Sequence, residues 1–109
     1  MNERSYRLKG WSYLSKLGSL FLRRKDVTCV RNQAGIDLTC CLEIDWKEEY
    51  TIWICFNDKP YLSVWVATIE KDGKSLFIDD GDNLIPIENK KITEVYKKLI
   101  ETINQILQK

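Results

Sequence analysis

The side chains with chemical potential here are four cysteines, a run of carboxylates, a basic run and a set of aromatic rings; histidine is missing altogether. General acid–base catalysis near neutral pH most often uses an imidazole. Its absence removes Ser-His and Cys-His nucleophile systems at once. No Gly-rich phosphate loop and no G-x-S-x-G elbow occurs. Carboxylates and lysines are the catalytic groups that remain, and no paired carboxylates stand on a recognisable scaffold. The expectation is a chain that is not an enzyme, with no catalytic residues and no cofactor.

The thiols are Cys29, Cys40, Cys41 and Cys55. Neither C-x-x-C nor C-x-x-H spacing occurs, so a zinc site would need all four thiolates. Cys40 and Cys41 are adjacent, and in a strand they point to opposite faces. No metal is expected. Reduced thiols are, with Cys40 a small core hydrophobe and Cys41 an ordinary surface or interface thiol. A carboxylate such as Glu43 beside Cys41 raises its pKa and lowers its reactivity. The stretch Asp79-Asp80-Gly81-Asp82-Asn83 offers oxygens but not the EF-hand spacing. Asp, Gly and Asn are also what a β-turn uses, and a solvated turn is expected.

The elements that must position these groups read clearly. One domain spans 1–109, because the length leaves no room for two. Hydrophobic residues make up 44% and charged residues 30%, which is ordinary for a globular chain and excludes disorder. No stretch is long and apolar enough to span a bilayer, and no apolar segment with a cleavage site follows the N-terminus. The expected compartment is the cytoplasm, with no membrane partner.

A helix is expected over about 5–24, where Trp11, Leu14, Leu17, Phe21 and Leu22 recur at helical spacing. Gly10 and Gly18 weaken it, and Gly10 is a candidate start. Strands are expected at about 27–32, 36–46, 50–56, 61–70, 75–78 and 84–87. The second alternates strictly from Ile36 to Trp46, so it is half-buried. Asn32 to Gly35 reads as a turn. Asp72-Gly73 suits a type I′ hairpin, and Pro86 marks an edge. A second helix is expected over about 90–108, with Asn89 as N-cap and an apolar stripe from Ile92 to Leu107. The fold class is α+β: an antiparallel five- to six-stranded meander with an N-terminal and a C-terminal helix packed on the sheet.

The aromatic residues carry the functional expectation. Trp53 and Cys55 share one face of the third strand, and Tyr61 and Trp65 one face of the fourth. The opposite faces of both strands are also apolar. One helix covers one side. The other side needs the N-terminal helix, a second copy of the chain or a different protein to keep water off it. Trp and Tyr are also enriched in binding hot spots. The expectation is a non-catalytic protein-binding module, of inhibitor, immunity, adaptor or phage and mobile-element accessory type, that docks a protein partner or itself. On this view Trp65→Ala weakens association and leaves thermal stability mostly intact.

The alternative is nucleic-acid binding. Residues 1–31 hold eight Lys/Arg against two Asp/Glu, with Arg23, Arg24 and Lys25 as phosphate contacts. Residues 32–85 hold four against eleven, so the sheet segment is acidic and repels phosphate. Nucleic acid therefore ranks below a protein partner.

Overall fold

A computed structural model describes residues 3–34, 40–58 and 60–108, with side chains described for 10–31, 40–58 and 60–108. Its order is α1 (Glu3–Leu22), β1 (Val27–Ala34), β2 (Cys40–Trp46), β3 (Tyr50–Asn57), β4 (Ser63–Lys71), β5 (Lys74–Ile78), β6 (Ile85–Pro86) and α2 (Ile92–Leu107). The fold is α+β, with a helix at each end of an antiparallel sheet. The sheet order is β1-β2-β3-β4-β5, a meander in which each strand pairs with the next in sequence. The two-residue β6 pairs with β4 through Ser63 and Val64. Since β3 occupies the other side of β4, β5 and β6 share its outer edge.

Strand alternation sorts the side chains into two sets. Cys40, Leu42, Ile44 and Trp46 of β2, Ile52, Ile54 and Phe56 of β3, and Val64, Val66 and Ile69 of β4 are buried. They meet Leu14, Leu17 and Phe21 of α1 and Val95, Leu99 and Ile103 of α2 in a single core. Both helices lie on this one face. α1 sits over β1, β2 and part of β3, and α2 over β4 and β6. The two touch where the Phe21 and Tyr96 rings meet edge to face, centroids 5.0 Å apart.

Several local expectations are corrected. α1 runs straight through Gly10, because a glycine is what lets the helix sit against the sheet. A Cβ at Gly10 would stand 2.7 Å from a ring carbon of Phe56, and one at Gly18 3.0 Å from a methyl of Val30. Trp11 and Leu22 fall outside the buried stripe and are exposed. The helix stops at Leu22, so Arg23-Arg24-Lys25 lie in the turn beyond it. β1 continues through Asn32 to Ala34, which pair with Leu42 to Cys40. The ladder with β2 thus overrides the turn preference of Asn32. The expected strand residues 36–39 lie outside the described residues. β4 begins at Ser63, leaving Tyr61 and Leu62 in the turn before it.

α2 begins at Ile92 after Lys91, which makes no side-chain cap. Asn89 is not the cap; it takes a left-handed backbone with φ of 61°. Asp72 and Gly73 both have positive φ, as a type I′ turn requires. Lys47 and Glu48 share that conformation in the β2–β3 turn, at φ of 56° and 57°, without the residue types that favour it.

Candidate functional site: the open face of the sheet

With both helices on one side, the second set of strand residues is left without a covering layer among the described residues. Register fixes how they line up. One row runs Cys41–Cys55–Trp65 across β2, β3 and β4. The next runs Arg31–Glu43–Trp53–Thr68–Ile78 across all five strands. A third runs Cys29–Asp45–Thr51–Glu70. The ladder slips between Trp53 and Ile54, which sets Ala67 as an extra residue beside Thr68. Most of these side chains are half-buried.

The face is chemically divided. Its β1–β2 end is polar. There Arg31 donates to Glu43 at 2.9 Å and to both carboxylate oxygens of Asp45 at 3.2 Å. It also reaches the Cys29 sulfur at 2.9 Å. These carboxylates hold the guanidinium charged, well above its ordinary pKa. The β3–β5 end carries the apolar residues Trp53, Cys55, Trp65, Ala67 and Ile78 together with Thr51, Thr68 and Glu70. Ile78 is 64% exposed, and Leu76 nearby on β5 is 56% exposed. These two extend the apolar area beyond the residues singled out in the sequence. The three consecutive apolar residues Leu76-Phe77-Ile78 carried the signal, since in a strand such a run must place apolar groups on both sides. Tyr61 stands apart, 44% exposed in the turn before β4.

Trp65 does more than present a ring. Its indole N–H donates to the Asp79 carbonyl at 2.9 Å. The Asp79 amide in turn donates to the Ala67 carbonyl at 2.8 Å. The Asp79 carboxylate accepts from the amides of Gly81, Asp82 and Asn83 and from the Asn83 side chain, at 2.7–3.2 Å. Residues 79–83 are therefore a turn wound around one carboxylate. Burial pushes the Asp79 pKa up, but the donated hydrogen bonds outweigh it and hold the group below 3.8. The Trp53 indole has no such bond among the described residues.

The basic run is only partly available. Arg24 makes two hydrogen bonds to Asp26, at 2.9 and 3.1 Å. Its guanidinium lies 4.9 Å from the centre of the Trp46 ring. Arg23 and Lys25 are exposed.

Cys41 and Cys55 face each other, Sγ to Sγ 3.0 Å. Cys40 is buried on the helix side, as its alternation with Cys41 requires.

No family model, curated protein or solved structure matches the chain. Among the described residues no helix is long and apolar enough to cross a membrane.

Proposed function

We propose that this chain is a non-catalytic protein-binding module whose docking surface is the open face of the sheet, and that in the pure protein a second copy takes that surface. The observation that carries the reading is the placement of both helices on one side. Trp53 and Trp65, both half-buried, and the exposed Ile78 lie on the face opposite the helices, where no described helix packs. Contiguous exposed apolar patches mark interaction sites, and sheets bury such faces against other layers. In a solution of one protein, the available apolar cover is another copy.

The nucleic-acid reading is the weaker one. The same face carries Glu43, Asp45 and Glu70, which repel phosphate, with Arg31 already shared between the first two. Arg24 of the basic run is engaged by Asp26 and Trp46.

Sedimentation across a range of protein concentrations tests the proposal, run beside thermal melting. Wild type should associate as concentration rises. Ile78→Glu should abolish association with little change in Tm, because Ile78 is 64% exposed in the lone chain, and Trp53→Glu, at a half-buried site, should abolish it at some cost in Tm. Association should persist in moderate salt, since contacts between apolar groups are not screened. A wild type that stays monomeric throughout, with variants that lose much of their Tm, would overturn the reading.

A further inference from the structure

The four cysteines are all thiols, in three different settings. Cys40 is buried beneath α1 and lies opposite Phe56. Cys29 lies opposite Asp45 and takes an N–H from Arg31. Neither faces another cysteine. Cys41 and Cys55 do: they are direct partners across the β2–β3 ladder, on the open face, with their sulfurs 3.0 Å apart.

Directly opposed residues of an antiparallel pair have Cα atoms about 4.5–5.5 Å apart. A disulfide bridges Cα atoms about 4.4–6.8 Å apart, with sulfurs at about 2.05 Å. The backbone span is therefore already suitable, and the sulfurs need to close by about 1 Å through side-chain rotation alone. Both side chains are partly exposed. Thiol–disulfide exchange needs that access, because the attacking sulfur must approach the incoming bond directly.

We infer that Cys41 and Cys55 form a dithiol site that reacts with low-molecular-weight disulfides of the glutathione type and closes into a cross-strand disulfide. The thiolate of one cysteine attacks a sulfur of the small disulfide. The small molecule's S–S bond breaks, and one of its halves leaves as a thiolate. The thiolate of the second cysteine then attacks the protein sulfur of the mixed disulfide and expels the other half. Two protein thiols are oxidised and one small disulfide is reduced to two small thiols, which take up the two protons the cysteines release. The second step is intramolecular between sulfurs already in contact, so the mixed disulfide is short-lived. The inference stands on register and distance, and its test is run at protein concentrations where the chain is monomeric, so that docking on this face does not shield the thiols.

The test is to incubate the native protein with oxidised glutathione, then alkylate it in denaturant and map the peptides. Of the four cysteines, two should escape alkylation, recovered as one Cys41–Cys55 cross-linked peptide that dithiothreitol releases. Trp65 lies directly opposite Cys55, so indole fluorescence should fall on oxidation, and fall less in Trp65→Phe. Cys41→Ser and Cys55→Ser should each retain one glutathione on the remaining member. Cys29→Ser leaves the pair intact and should still form the bond, which keeps the test valid if the other variants fold poorly. Glutathione found on both Cys41 and Cys55 of wild type, a disulfide between two chains, or four alkylated cysteines after prolonged exposure would overturn the inference.

Discussion

Replacing Gly10 by alanine tests the close seating of α1 on the sheet. The added Cβ would stand 2.7 and 3.0 Å from two ring carbons of Phe56 and 3.2 Å from the Cys40 sulfur. Ordinary carbon contacts lie at about 3.5–4.0 Å, so something must yield by most of an ångström. Phe56 is 2% exposed and Cys40 fully buried, so neither has open space to move into. Overpacking of this kind costs about 1–3 kcal/mol. Alanine recovers about 1 kcal/mol over glycine in a helix interior. With a rigid ring as the obstacle, the clash wins, and Gly10→Ala should destabilise by up to about 2 kcal/mol. For a domain near this size that lowers Tm by about 4–8 °C per kcal/mol. A urea titration should show a lower midpoint with unchanged slope. Gly18→Ala meets methyls of Val30 and Leu42 at 3.0 and 3.2 Å and should be close to neutral. In a Phe56→Leu background the Gly10→Ala cost should shrink, as contacting residues couple. A stabilised Gly10→Ala protein would refute the reasoning, because it would mean that α1 is free to lift.

Other perturbations act on the loop and the turns. Asp79→Ala removes the acceptor for four hydrogen bonds and should cost about 1–3 kcal/mol by thermal melting. The carboxylates of Asp79 and Asp26 are both held below 3.8, Asp26 chiefly by its hydrogen bond from Arg24. A depressed folded pKa gives stability that is present above the unfolded value and lost as pH falls through the folded one. Tm should therefore drop below about pH 4, and less steeply in Asp79→Asn. Trp65→Phe keeps an aromatic ring but loses the bond to the Asp79 carbonyl, and should cost about 1 kcal/mol in urea denaturation while retaining association. Replacing Lys47-Glu48 with Asn-Gly puts residues suited to positive φ into the β2–β3 turn, and should raise stability by up to about 1 kcal/mol in the same assay.

The sequence was most legible where periodicity and burial coincide. The described part of the period-two run, Cys40 to Trp46, became a strand with its apolar side buried, and the stripe from Ile92 to Leu107 became a helix that buries Val95, Leu99 and Ile103. Ends were less legible. Asn32 favours a turn by local preference, yet its pairing with Leu42 extends β1, and no local rule anticipates a cross-strand partner. Gly10 looked like a helix start because a single chain shows only the helix penalty, not the Phe56 ring that makes the penalty worthwhile. The two apolar faces of the third and fourth strands were readable as such. Which face each helix takes was not, since it depends on which strand residues meet Leu14, Leu17 and Phe21 of α1 and Val95, Leu99 and Ile103 of α2 in the core. The turn at Asp79 changes how Trp65 is viewed. Its bond to Asp79 gives it a structural duty, so Trp65→Ala confounds folding with docking, and Trp53 is the cleaner probe.

The meander has a kinetic corollary. Neighbouring strands are joined by short connections, so each hairpin closes a small loop at low entropic cost. α1 is different: Gly10 must find Phe56, which follows it only after β1, β2 and most of β3 have been laid down. Zippering of the ladders can therefore run ahead, while the seating of the Gly10 end of α1 waits for a long excursion of the chain to close. Mutations under that helix should act mainly on how fast the assembled molecule comes apart.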